Sequence, residues 1–473
     1  MADAPSIAFE DLGEARAPRT DGDAAAHAVF AQRAAARRVA VPTDDLVVQQ
    51  RLREYDEPIT LFGERPPDRR ARLLEVIMAQ GATGKKARID DEESDASDEE
   101  FYTEGPPALL AARQRIAAYS LAHAKARVAA QAREARVPLA DVAAVRRAVL
   151  APLRTYSSLG SQVGGTRPIS MVRFSPDASL LATGSWSGQA ALWDVPSATP
   201  RQTYAAHEDR VSGVAWHPQA TLSQSRAALN LATGGGDHTV CLWSLDSERP
   251  LRRLHGHEAR IGRIAFHPLG AYVASASFDG TWRLWDVEHG TELLLQEGHS
   301  KEVYAVDFQS DGALVASGGL DAIGRVWDCR TGRSAMVLDG HAREILSVAF
   351  APNAYQVATA SGDDTVRIWD LRQLRSLYTI PAHRSSVADV RFFFDGAERT
   401  WAAGDDAPVR RSGMYLATAG YDGLVKLWSA DDWQLLATLA GDAGKVMSVD
   451  ISSDGRYLAS GEWARTFKLW GQL

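Results

Sequence analysis

Seven tryptophans, Trp193, Trp243, Trp285, Trp327, Trp369, Trp428 and Trp470, each end a version of one phrase, clearest as Phe278-Asp-Gly-Thr-Trp-Arg-Leu-Trp-Asp286. Successive anchors stand 50, 42, 42, 42, 59 and 42 residues apart. A unit of this length has room for four short strands but too little core to stand alone, so neighbouring units must stack. The spacing therefore predicts a single domain over residues 153–473.

Seven four-stranded units make an all-β, seven-bladed WD40 β-propeller, which closes on itself and so removes exposed sheet edges. The repeated polar residues fit that fold. His257, Asp279 and Trp285 recur as His299, Asp321 and Trp327 and as His341, Asp363 and Trp369, each time with His and Trp 28 positions apart. A general acid or base is needed once, whereas repetition at fixed spacing implies a structural task in every blade. The first and last units depart from the rule: Ser187 and Ala464 stand in the Asp position and Asp442 in the last His position. The final unit supplies only three strands, so a segment around Arg154–Gln162 is expected to close the ring. The longer spacings place insertions at 219–229 and 395–412, candidate partner loops or tolerated additions.

Composition changes ahead of the repeats. All 13 Trp lie at or beyond Trp186, while the first 150 residues favour Ala and Arg, helix formers rather than strand formers. Residues 1–40 are expected to be mostly disordered with an Ala-rich stretch. Two cysteines in different repeats, Cys241 and Cys329, suit free thiols in a reducing compartment. The start of the chain lacks a basic, apolar leader, and no apolar run is long enough for a membrane span. No phosphate loop or metal-ligand spacing occurs, so we expect no cofactor, metal, small-molecule substrate or catalytic role.

The net charge of -8 hides a segregation. Residues 90–100 read DDEESDASDEE, an acidic spacer in which Ser97 fits an acid-directed kinase site. Residues 105–154 hold nine Arg or Lys against Glu134 and Asp141 alone. A long helix is expected from Pro107 to about Ala135, with Leu110, Ala117, Leu121, Ala124 and Val128 as its apolar stripe. Arg115, Lys125, Arg133 and Arg136 would then project outward, either to meet RNA or protein or simply as a solvated face. Asp141 is expected to cap a following helix.

Upstream, residues 41–81 predict two short amphipathic helices. Val48, Leu52 and Tyr55 share a stripe in the first, Leu73, Val76 and Ile77 in the second, which ends at Gly81, and Pro58 breaks the chain between them. Arg51, Arg53, Arg69, Arg70 and Arg72 are candidates for contacts with phosphate or acidic protein, or are solvated helix faces. At the centre stands Glu57-Pro-Ile-Thr-Leu-Phe-Gly-Glu64, containing Thr60, Leu61 and Phe62. This phrase, followed by Glu100-Phe-Tyr-Thr-Glu-Gly105 and Arg115-Ile-Ala-Ala-Tyr-Ser-Leu121, resembles the pre-mRNA processing factor four family. That family comprises the WD-repeat proteins of the U4/U6 small nuclear ribonucleoprotein. The resemblance extends to the order of parts: motif at 41–81, acidic linker at 82–104, basic helical segment at 105–152 and propeller. It implies a nuclear, non-catalytic splicing scaffold that binds U4/U6 snRNA directly or indirectly. It also implies particle proteins as partners, including a processing-factor-three-type subunit and a spliceosomal cyclophilin. A second reading is a substrate receptor of a cullin ubiquitin ligase, because Trp327-Asp-Cys-Arg330 and Trp369-Asp-Leu-Arg372 fit a short docking pattern of such receptors.

Overall fold

A computed structural model describes residues 45–83, except 56, 62, 63 and 65, and residues 106–472, except 206, 397–408, 442 and 443. Residues 1–40, Phe62, Ser97, Asp442 and most of the second insertion lie outside the described residues. The chain divides into two compact units, Met1–Asp98 and Glu99–Leu473.

In the first unit, α1 (Asp45–Glu54) and α2 (Pro66–Thr83) pack by a small apolar contact. Val48, Leu52 and Leu73 are buried, with Tyr55, Leu74 and Ile77 at the margin. The second helix continues past Gly81 to Thr83.

The second unit contains seven antiparallel four-stranded sheets. One blade shows the logic. Its strands Ile261–Phe266, Tyr272–Ser277, Trp282–Asp286 and Glu292–Gln296 follow one another in space as in sequence. The second strand, Tyr-Val-Ala-Ser-Ala-Ser, is buried throughout, because neighbouring blades cover both of its faces. Its β-branched and small residues suit that two-sided packing. The turn to the third strand needs a left-handed residue, and Gly280 supplies it at φ 85°.

Closure of the ring uses the segment expected from the sequence. Ser157–Val163 pairs antiparallel with Thr466–Gly471, aligning Ser157 with Gly471 and Val163 with Thr466. The seventh sheet is thus completed by a strand that precedes the first repeat, and its hydrogen-bonding edge is satisfied.

Two helices belong to this unit, α3 (Pro107–Glu134) and α4 (Leu139–Leu150). The face of α3 that packs is not the predicted one. Leu109, Ala112 and Ile116 join Trp282, Leu293 and Trp327 in one buried cluster, with Ser120 and Ala130 also buried. Leu110, Leu121 and Val128 are 62%, 61% and 57% exposed. Small residues at 112, 120 and 130 let the helix backbone approach the blades closely, and this outweighs the larger apolar area of the Leu stripe. At α4, Pro138 occupies the N-cap and Asp141 lies in the first turn without a capping bond, correcting its expected role. Val149, Leu153 and Tyr156 then anchor the chain against Phe393, Tyr415 and Trp470.

Candidate functional site

The arginines of the first unit fall into two groups. Arg69 is only 6% exposed; its guanidinium pairs with Asp45 and lies 3.8 Å from Glu64. Arg72 donates from Nε to Glu64 Oε1 at 2.7 Å and approaches Glu57 at 3.8 Å. Both were candidates for outside contacts, and both are instead internal staples whose charge three carboxylates of the same unit neutralise. Arg51 and Arg70 are half-buried, with Arg51 3.9 Å from Glu54. Arg53, on α1, and Thr60 and Leu61, in the connector, are exposed.

On α3, Arg115, Lys125 and Arg133 are exposed, and Arg136 is exposed in the turn that follows the helix. Arg127, not singled out from sequence, donates to buried Asp311 at 2.8 Å. The end of the helix meets the second insertion, where Arg410 N donates to Glu134 Oε1 at 3.1 Å. The first insertion is tied down by Asn230, whose amide donates to the carbonyls of Ser225 and Ala228 at 2.9 and 2.8 Å.

The blade residues form a four-member relay. Trp285 Nε1–H donates to Ser275 Oγ at 2.8 Å, Ser275 lies 2.6 Å from His257 Nε2, and His257 Nδ1 lies 2.7 Å from Asp279. Placing the imidazole proton on Nδ1 lets every member donate to the next; the other tautomer would set a nitrogen lone pair against a carboxylate. The same relay runs through Trp327, Ser317, His299 and Asp321 and through Trp369, Thr359, His341 and Asp363. The hydroxyl was missed in the sequence, yet it stands ten residues before every anchor Trp, a spacing that reveals it. At Asp237, burial favours the neutral acid, but hydrogen bonds from His207 and Thr239 outweigh it and bring the carboxyl down to about 2. His207 rises correspondingly to about 9 despite its burial. In the last blade, where Asp442 and Ala464 break the pattern, Glu462 is buried and accepts from Thr466 Oγ1 at 2.8 Å, with Lys468 3.6 Å away. This blade therefore holds an internal ion pair near the same turn.

A second polar network, also missed, joins the innermost strands. Buried Asp389 accepts from Ser347 and Ser448 at 2.8 Å, and Arg173 and Arg263 approach at 3.2 and 3.7 Å. Burial opposes ionisation of this carboxyl, yet the charges of Arg173, Arg263 and Arg391 hold it well below the usual range. Such a paired, dry cluster fixes the register of blades rather than offering a reactive group. Both cysteines are buried and free, and burial pushes the Cys329 thiol up to about 12, which leaves it inert. Among the described residues no group of three or more His, Cys, Asp or Glu side chains is placed to hold a metal.

A closed ring of seven such blades defines a WD-repeat protein. The WD domain, G-beta repeat family matches at 156–194, 198–244, 248–286, 290–328, 332–370, 374–429 and 433–471, and the chain belongs to it. Ahead of the ring, residues 48–76 match the pre-mRNA processing factor 4 (PRP4) like family. The chain is 43% identical over 208 residues to the U4/U6 small nuclear ribonucleoprotein Prp4 of Pongo abelii, covering 43% of this chain and 40% of that one. It is 40% identical over 215 residues to the PRP4-like protein of Arabidopsis thaliana, covering 42% and 38%. To the Saccharomyces cerevisiae U4/U6 protein PRP4 it is 35% identical over 187 residues, covering 38% and 40%. The matched region thus spans about 40% of the length of these relatives.

Proposed function

We propose that this chain is a non-catalytic scaffold subunit of the U4/U6 small nuclear ribonucleoprotein, working in the nucleus in pre-mRNA splicing. The observation that carries this reading is the presence on one chain of the PRP4-like segment at 48–76 and seven WD repeats. The ring is a closed platform whose repeated His/Asp pairs and buried Asp389 cluster are committed to holding blades together. The first unit offers exposed Arg53, Thr60 and Leu61 and half-buried Arg51 and Arg70; α3 and the turn after it offer Lys125, Arg133 and Arg136. These side chains contact snRNA or neighbouring proteins of the particle. A processing-factor-three-type subunit and a spliceosomal cyclophilin are the protein partners this reading expects.

The ligase-receptor reading is not favoured. Arg330 and Arg372 fork back onto Asp328 and Asp370 of their own strands, each pair bridged at 2.8 to 3.3 Å, so local structure accounts for the pattern. Affinity capture of the tagged chain from nuclear extract, with sequencing of bound RNA, tests the proposal. Enrichment of U4 and U6 is expected, reduced in the triple variant R51E/R53E/R70E. Recovery of a ligase adaptor with no U4 or U6 above a control propeller would refute the scaffold role.

A further inference from the structure

In every blade, the residue seven positions before the anchor Trp sits in the turn between the second and third strands. Its backbone N–H reaches the carbonyl of the residue just ahead of the first strand. Trp186 bonds Pro168 at 3.0 Å, Tyr421 bonds Ser386 at 3.0 Å and Trp463 bonds Lys445 at 2.9 Å. One face of the ring therefore presents these two positions side by side, blade after blade. The blade at 303–338 carries Leu320 and Glu302 there, and the blade at 345–380 carries Gly362 and Glu344. At these two positions those blades carry glutamate and no aromatic ring, with Lys301 and Arg343 exposed next to the glutamates, while the blade at 261–296 carries a single ring, Phe278, under Arg260 at 3.8 Å.

The opposite sector, at the ring seam, is built differently. Trp186 and Trp463 meet edge to face at 4.9 Å and 78°. The Arg210 guanidinium lies 5.2 Å from the Trp186 ring, and Lys445 Nζ lies 5.5 Å from Trp463 and 5.2 Å from Tyr421. Trp463 is 43% exposed, and exposed Arg167 and Arg465 flank the pair. Asp209, 3.8 Å from Arg210, offsets one of these charges and leaves the sector positive. These are also the two blades in which Ser187 and Ala464 replace the repeated Asp, so carboxylates are missing where cations gather.

The fold does not require this surface. Glycine fills the same turn position in two blades, at Gly236 and Gly362, so two tryptophans here serve something other than blade folding. Cations already in place beside the rings repel a cationic ligand such as a methylated lysine side chain. An anionic ligand with flat, stackable rings suits both features, and that combination describes a nucleotide strand. Duplex bases hide their ring faces, so the strand is single.

We propose that the seam sector centred on Trp186 and Trp463 binds single-stranded RNA by stacking bases on the indoles while Arg210 and Lys445 meet the phosphates. The choice of RNA over DNA rests on the ribonucleoprotein reading above. The test is fluorescence anisotropy of a labelled uridine dodecamer with the full chain at several salt concentrations. A thymidine dodecamer, an RNA duplex and polyglutamate serve as competitors. We expect W463A to weaken binding about tenfold or more, R210E/K445E to weaken it and flatten its salt dependence, and L320A to leave it unchanged. Thermal melts of W463A and R210E/K445E should match the parent, since neither change touches a fully buried side chain. Wild-type affinity in W463A, or competition by polyglutamate, duplex or thymidine as strong as by uridine, would overturn the proposal. The dodecamer is a bare homopolymer added without other particle components, so it reads the seam alone. Loss of U4/U6 capture with dodecamer binding intact would therefore refute the scaffold reading alone, and the converse this surface alone.

Discussion

Replacing Ser275 with alanine isolates the energetic role of the blade relay. The hydroxyl lies in a strand with no solvent access, accepts the Trp285 N–H at 2.8 Å and sits 2.6 Å from His257 Nε2. Alanine nearly conserves volume but leaves two buried groups, an indole N–H and an imidazole nitrogen, with neither water nor protein to replace the lost partner. Each such orphan costs about 1–3 kcal/mol, giving about 2–6 kcal/mol in all. S187A is the control, because the first blade has no His/Asp pair and Ser187 is bonded only to Ser185 at 3.0 Å. Its cost should stay within about 0.5 kcal/mol, the usual range for a change away from buried networks. Urea unfolding followed by circular dichroism measures both. S275A combined with W285F should cost less than the sum of the single changes, by about 1 kcal/mol or more, because the second removes the orphaned N–H left by the first. A loss below about 1 kcal/mol in S275A, or strict additivity with W285F, would refute the relay as a stabilising unit.

Other expectations follow from the same geometry. I116D should release α3 and lower the melting temperature sharply, since Ile116 is fully buried and an unpaired carboxylate is costly there; L121D, on the exposed face, should melt like the parent. Deleting residues 150–163 should lower the melting temperature by several degrees and promote aggregation, read by calorimetry and light scattering, because Thr466–Gly471 would become a free edge. R72A should lower the helical signal of the isolated 41–98 fragment by removing the partner of Glu64, whereas R53A should not. Folding lowers the Asp237 carboxyl from 3.8 to about 2, so the folded state binds fewer protons than the unfolded chain. That contribution is complete above about pH 4 and disappears as pH falls through about 2, which a series of melts across this window will record.

The architecture was legible because a period-42 anchor survives insertions, and the strand that closes the ring could be inferred by counting strands in the final unit. Two features were harder to read. For α3, counting large apolar residues selected Leu110, Leu121 and Val128, but the docked face is set by backbone approach, for which Ala112 and Ser120 matter more. In the first unit, runs of arginine fit contacts with phosphate or acidic protein, or solvated helix faces. Asp45, Glu57 and Glu64 all lie outside the helix that carries the arginines they neutralise, and no helical spacing reveals that pairing. The Ser and Thr of the relay were hidden for a different reason. Hydroxyl residues are common in strands, and only their offset from Trp marks them.

The seam strand also bears on when the protein becomes functional during synthesis. Ser157–Val163 leaves the ribosome early, yet its partner Thr466–Gly471 is made more than 300 residues later. Throughout that interval the early strand has no native neighbour, and the blades made in between can stack without forming a closed ring. Any binding surface that spans the seam, including the paired indoles of Trp186 and Trp463, comes into being only when this last pairing is made. The first unit can meet its partners while translation continues; the seam cannot.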